Sequence, residues 1–291
     1  MDKIFFINKP MGYTSQDLVS KTKKILNIKK AGHTGTLDPY ATGLMMVLTN
    51  NATKIAKYFE GHNKTYIATL QLGKATNTGD SEGEVVEEKP VDESLITSEN
   101  INRVFSKFTG DIVQTPPKYS AIKVNGKKLY EYARNNIDVE IPKRTVKIFY
   151  IELLSVDNIN NQIIFEIKCS KGTYIRSVCE DIAQELNTVG FMKSLIRTKI
   201  DNFSVDDAIF LEELEENKND KDWIEKKSHT IEDILNYFPK YYILEKNYLL
   251  FINGTILDVE LEDGIYSIYI HEKYIGTGVV KNNKLKRDVV I

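Results

Sequence analysis

Two hydrophobic periods run along this chain and mark out its elements. IFFIN (residues 4–8) and LMMVL (44–48) are short continuous apolar runs of the kind buried strands show. KTYIATLQLG (64–73) alternates Tyr66, Ala68, Leu70 and Leu72 against Ile67, Thr69 and Gln71, the period of a half-buried strand. Thr14 or Ser15 caps a helix that carries Leu18, Thr22, Ile25 and Leu26 on one face, and residues 95–108 form a second helix. NTGDSEGEVVEEKP (77–90) is polar and acidic, hence a loop or an edge hairpin. Asn125-Gly126 signals a two-residue hairpin, yet Leu129, Tyr132 and Ala133 follow with helical spacing, so the stretch reads as strand, turn, helix. Strands around 144–155 and 161–169 precede a helix from about 174 to 187. Strands and helices mix without strict alternation. The expectation is an α+β fold with a mixed, mostly antiparallel central sheet and flanking helices.

The pattern changes after residue 210. LEELEENKNDKDWIEKK (211–227) is a run of charge with little apolar support, which predicts a solvated helix end and a linker. Beyond it, aromatic and β-branched residues alternate between Gly and Asp turns. The division expected is a domain over 1–230 and a small β-rich unit over 231–291, close to the lower size limit for independent folding and therefore docked on the rest.

Composition narrows the functional classes. With 42% hydrophobic and 27% charged residues the chain is a globular protein, not a disordered one. No apolar run approaches the roughly 18 residues of a membrane span, and MDKIFFINKP is too short and polar for a signal peptide, so a cytoplasmic protein without membrane contact is expected. Cys169 and Cys179 lack zinc spacing, and His33, His62, His229 and His271 are scattered, which argues against a His/Cys metal site. The formal net charge of −2 conceals an asymmetry: Lys and Arg exceed Asp and Glu in the first 205 residues, and the acids dominate the remainder. Basic clusters at 21–30, 123–134, 143–147 and 193–199 suggest a basic groove suited to phosphate.

One loop carries candidate chemistry. AGHTGTLDPYATGLMMV (31–47) sets Gly32, Gly35, Gly43 and Pro39 around the carboxylate of Asp38. The glycines permit backbone angles or close approaches that a side chain blocks, and Pro39 biases Asp38 toward an extended conformation. The loop lacks the Gly-Lys-Ser/Thr ending of a Walker loop and the GxSxG of a hydrolase elbow. From the residues alone, Asp38 remains a carboxylate nucleophile, a general base or a turn cap.

This loop, however, resembles the catalytic motif of the TruB family, the bacterial synthases that make pseudouridine at position 55 of tRNA. NKPMGYTS (8–15), KTY (64–66), YSAIKVNGKKLYEYAR (119–134) and CSKGTYIRS (169–177) are similar to the family's other motifs and stand in the same order. The resemblance implies a pseudouridine synthase fold with a small PUA-like C-terminal domain. It implies isomerisation of uridine 55 in the T-arm of tRNA by base flipping, with no cofactor, no metal, no obligatory protein partner and a monomeric state.

By the same resemblance Asp38 is the reacting carboxylate, Arg176 its counter-charge, and Tyr66 the stacking tyrosine of the catalytic set. Tyr174 contacts the bound base, Leu195 lies on its other side, and His33 takes part in flipping. Lys9, Lys64 and Arg197 match basic positions for which phosphate or loop contacts are the natural roles. The match weakens at LIRTKIDNF (195–203), where Ile196 replaces an Arg and Asp201 stands where Gly is usual. Two further readings follow: a tRNA-folding helper using the same groove, and a guide-RNA-dependent relative that works with protein partners.

Overall fold

The computed structural model describes residues 1–120, 122–135 and 137–291. The apolar run at the start forms β1 (Ile4–Lys9). It leads into α1 (Ser15–Ile25), whose N-cap Thr14 accepts from Asp17 N–H in a capping box. Leu18, Val19, Thr22 and Ile25 are its buried face. The short β2 (Ala31–His33) and the buried β3 (Thr42–Thr49) flank the Asp38 loop, and a 3₁₀ run over Asn50–Phe59 leads to β4 (Lys64–Leu72). The alternation read from sequence holds in β4 from Ala68 onward: Ala68, Leu70 and Leu72 are buried, Ile67, Thr69 and Gln71 less so, while Tyr66, expected on the inward face, is half-buried and Thr65 beside it is buried.

The acidic stretch is the edge hairpin β5 (Lys74–Thr76) and β6 (Val85–Glu88). Then come α2 (Ser98–Phe108) and β7 (Gly110–Gln114). Asn125 and Gly126 both have positive φ, 50° and 83°, and close a two-residue hairpin between β8 (Lys123–Val124) and β9 (Lys127–Lys128). That hairpin hands directly to α3 (Leu129–Arg134), so turn pair and helical spacing both express themselves. The long strands are β10 (Arg144–Asp157) and β11 (Gln162–Cys169), followed by α4 (Ile175–Glu185), β12 (Gly190–Ile200) and β13 (Phe203–Ser204).

The central sheet runs β1-β3-β12-β4-β11-β10-β7, with β2 beside β3 and β13 beside β12. Every pairing is antiparallel except β12 with β3, so the mixed, mostly antiparallel sheet is the one expected. Its interior strand β12, between β3 and β4, is not among the elements expected from sequence. The basic cluster at 193–199 belongs to it, and Met192, Leu195, Arg197 and Ile200 turn inward. On one face α1, α2 and α4 bury Phe5, Ile7, Met45, Phe105, Phe165 and Ile182 in a single core.

The charged run at 211–227 is not a linker. It forms α5 (Leu211–Glu216) and α6 (Lys221–Lys227), whose Leu211, Leu214 and Ile224 enter the same core. Few apolar residues suffice there because each short helix needs only one inward side. The next helix, α7 (Ile231–Ile234), lies past the expected divide at 230, yet Ile231, Ile234 and Leu235 pack with Ile4, Phe6 and Leu44 on the sheet's other face.

The C-terminal unit holds β14 (Lys240–Tyr242), α8 (Glu245–Ile252), β15 (Leu257–Asp258), β16 (Gly264–Ile270), β17 (Lys273–Lys281) and β18 (Lys284–Val290). Its strands form one sheet in the order β14-β16-β17-β18-β15 over its own small core. It docks as the size argument requires: the Tyr58 hydroxyl lies 2.5 Å from Thr277 Oγ1 and donates to Asp288 Oδ2 at 2.5 Å. Among the described residues no helix is long and apolar enough to cross a membrane.

Candidate active site

The Asp38 loop is held from three sides. Ser15 Oγ, at the start of α1, donates to Leu37 O at 2.9 Å and accepts from Leu37 N–H at 2.8 Å. Lys9, at the end of β1, is fully buried and its Nζ donates to the carbonyls of Pro10 (3.0 Å), Tyr13 (2.6 Å) and Pro39 (3.0 Å). Arg197, also buried, donates from Nε to Leu44 O at 2.7 Å and from its two Nη atoms to Thr36 O and Gly35 O, each at 3.3 Å.

Of the phosphate and loop contacts expected of Lys9 and Arg197, the structure shows loop contacts, with both side chains donating to carbonyls around Asp38. A loop without ladder partners leaves carbonyls that must be satisfied inside the protein, and the two cations meet that need. Burial and the neighbouring Arg197 pull the Lys9 ammonium down to about 8.

Of the three glycines in the loop, Gly43 alone is sterically required. Its φ is +107°, and a Cβ there would come within 2.3 Å of the Arg197 carbonyl oxygen. A Cβ on Gly32 or Gly35 meets only ordinary contacts, at 3.7 and 3.9 Å. The tight spot lies where β3 runs alongside β12 as its parallel partner, with Gly43 in register with Arg197.

Asp38 stands at the rim of a cleft of about 490 Å³. Its carboxylate is 38% exposed and lies 3.2 Å from Arg176 Nη2, whose side chain is only 6% exposed. Tyr40 donates its hydroxyl to the same Asp38 oxygen at 3.3 Å. Arg176 is shared: Nη1 pairs with Asp80 at 3.3 Å and donates to Thr78 O at 3.2 Å, while Nη2 also donates to Tyr119 O at 3.0 Å. Burial works against the guanidinium's charge, but Asp38, Tyr40 and Asp80 outweigh it and hold its pKa above the ordinary arginine value. A planar fork with four acceptors has little rotational freedom. It therefore fixes where the Asp38 carboxylate points.

The cleft gathers most of the other residues expected there. Lys64, Tyr66, Tyr174, Leu195 and Arg197 all line it with Asp38 and Arg176. Burial pushes the Tyr66 phenol up to about 12 against the opposing pull of Arg197. Tyr174 is the N-cap residue of α4, and the buried Gln114 side chain clasps its backbone, accepting from its N–H at 2.8 Å and donating to its carbonyl at 2.9 Å. Lys64 donates to His62 O at 2.5 Å.

His33 and Lys9 lie outside the cleft lining among the described residues. His33 Nδ1 accepts from Gly35 N–H at 3.2 Å, so the free proton of the neutral ring sits on Nε2, and burial with Arg197 nearby keeps its pKa below the ordinary histidine value.

Sequence reasoning missed Asp80, Tyr40, Gln114, Tyr119 and Tyr130. Tyr119 and Tyr130 line the cleft, and both belong to the motif at 119–134, whose tyrosines the resemblance leaves without roles. Asp80 is 4% exposed although it lies in the stretch read as a polar loop. Its Oδ1 accepts from Thr78 Oγ1 at 2.6 Å and from Glu82 N–H at 3.1 Å. Asp201, at φ +43°, explains the glycine usual there, and it compensates by accepting from Asn63 N–H at 3.0 Å. Among the described residues no cluster of three or more His, Cys, Asp or Glu is placed to hold a metal ion.

Known proteins resemble this chain in sequence and in fold. The family described as TruB family pseudouridylate synthase (N terminal domain) matches residues 23–175. A relative from Fusobacterium nucleatum subsp. nucleatum, named tRNA pseudouridine synthase B, is 42% identical over 287 residues, 98% of this chain and 98% of its own. One of the same name from Geobacillus thermodenitrificans is 42% identical over 261 residues, 88% of this chain and 86% of its own. In structure, a chain from a Cbf5-Nop10-Gar1 complex superposes with a TM-score of 0.73 at 24% identity, covering 99% of this chain and 84% of that one. That likeness concerns the fold.

Proposed function

This chain belongs to the TruB family of pseudouridylate synthases and is a pseudouridine synthase, and on that premise we propose that it isomerises uridine 55 in the T-arm of tRNA, acting as a single chain on tRNA alone. Its relatives named tRNA pseudouridine synthase B support tRNA as the substrate. The observation that carries the reading is the Asp38 carboxylate, open to a cleft and held 3.2 Å from Arg176.

The reaction needs such a group. The N–C glycosidic bond of uridine breaks, the uracil turns, a C–C bond forms from C5 to the same sugar carbon, the proton at C5 leaves, and the freed N1 takes one up. Atoms and electrons balance without an oxidant. An ionised carboxylate beside the ribose can attack the sugar, attack the base, or remove a sugar proton, and each route needs it fixed in position. Arg176 pairs with the carboxylate and aims it. A base inside a folded RNA arm must be extruded to reach it, and Tyr66, Tyr174 and Leu195 line the cleft where such a base would lie.

The test is to incubate the purified protein with unmodified tRNA transcript, no metal or nucleotide added, and map pseudouridine by position. Modification at 55 is expected, and Asp38→Asn should abolish it while tRNA binding persists. Full activity in that variant would remove Asp38 from the chemistry. A requirement for a guide RNA or a second protein would replace this reading with the guide-dependent one.

A further inference from the structure

We propose that Phe149, Lys147 and Lys168 form an RNA subsite outside the cleft, which binds the phosphodiester backbone flanking the target nucleotide and stacks one base on Phe149; this rests on the reading above that RNA is the substrate. Phe149 is the extra residue of a register shift on β10 between Ile148 and Tyr150, and it is 39% exposed. A lone exposed phenylalanine is common. Here Lys147 Nζ lies 5.6 Å from its ring centroid and Lys168 Nζ 5.9 Å.

Neither lysine has a carboxylate partner among the ion pairs of the described residues. The nearby Glu166 accepts instead from the Tyr150 hydroxyl at 2.6 Å. Two like charges drawn to one ring repel each other, and an exposed cation–π contact is too weak to make that arrangement worthwhile by itself. An anion is what the group lacks.

The patch adjoins the cleft through the backbone. Lys147 N–H donates to Ser170 Oγ at 2.9 Å and Ser170 N–H donates to Lys147 O at 2.8 Å, while Ser170 and Lys171 line the cleft. Arg144, on the same strand, holds its guanidinium 5.6 Å from the ring centroid of the cleft residue Tyr174. Arg144 and Lys171 are likewise without ion pairs among the described residues. Cations interleaved with aromatic rings and leading away from a base pocket match a nucleic-acid strand, whose phosphates recur and whose bases stack.

The test compares Lys147→Ala/Lys168→Ala with Lys226→Ala/Lys227→Ala, an equal charge change on α6, in turnover of unmodified tRNA transcript across a potassium chloride series. The first pair is expected to raise KM roughly tenfold with kcat within about twofold, and to lower the salt slope of binding by about 1.5, the share of two phosphates. Phe149→Ala is expected to raise KM roughly tenfold, and Phe149→Tyr to restore it, since stacking needs a ring. Equal effects from the two lysine pairs, or an unchanged KM, would overturn the subsite. So would a gain in affinity for an acidic peptide over tRNA. Filter binding of the same transcript makes the comparison without turnover, so an inactive wild type counts against the proposed reaction and still leaves the subsite decided.

Discussion

Replacing Arg176 by lysine isolates geometry from charge at the centre of the site. The guanidinium serves Asp38, Asp80, Thr78 O and Tyr119 O at 3.0 to 3.3 Å. A lysine ammonium has three donors and no planar fork, so at least one acceptor goes unserved. The more costly loss is Asp80, whose side chain is 5% exposed. Breaking a buried pair typically costs about 3–5 kcal/mol, whereas the Asp38 half, at 38% exposure, is discounted for solvent screening. Retained charge offsets part of this, leaving a loss of about 2–3 kcal/mol, which lowers the urea midpoint by about 1 M.

Catalysis should suffer separately. A reacting group displaced by about 1 Å can lose about 10²-fold in rate, equivalent to about 2.7 kcal/mol. The assay is single-turnover release of tritium from C5-labelled uridine in tRNA, run beside urea unfolding. An Arg176→Lys enzyme within about threefold of wild type would show that the fork does not aim Asp38. An inactive Arg176→Met variant as stable as wild type would show that the pairing with Asp80 is not structural.

Three further outcomes are expected. The folded protein holds the Lys9 proton less tightly than the unfolded chain, with a pKa of about 8 against 10.5. The unfolded state therefore binds more protons between those values, and stability rises with pH there by about 3 kcal/mol; denaturation of Lys9→Met should lack that rise, and parallel curves would refute it. Tyr66→Ala should lose most turnover with its circular dichroism unchanged, while Tyr66→Phe keeps the stacking ring and most of the rate; a full rate in the alanine variant would end the stacking role. Gly43→Ala should lower thermal stability by about 3 kcal/mol through strain at φ +107° and collision with the Arg197 backbone, and an unshifted melting curve would contradict the required close approach.

Strands whose burial is a matter of local alternation were legible. The side-chain period of β4 and the capped helix α1 could be read directly, because each pattern is complete within about ten residues. β12 was not, since its register shifts at Met192/Ser194 and Arg197/Lys199 break the period of two and three exposed side chains lie among the inward ones. The α5–α6 segment failed for a related reason: Leu211, Leu214 and Ile224 are too few among the charges to announce a buried face.

The site divides along the same line. Sequence, through its resemblance to the family, singled out the candidate groups: a carboxylate on a constrained turn, an arginine at a helix start, and tyrosines in ordered motifs. Only the tertiary structure decided their partners. It brings Arg176 to Asp38 and to an Asp80 that looked like surface, and it turns Lys9 and Arg197 inward as donors to loop carbonyls. A residue type fixes what a group can donate or accept, whereas its burial and partner depend on strands distant in sequence, here above all the parallel seating of β3 on β12.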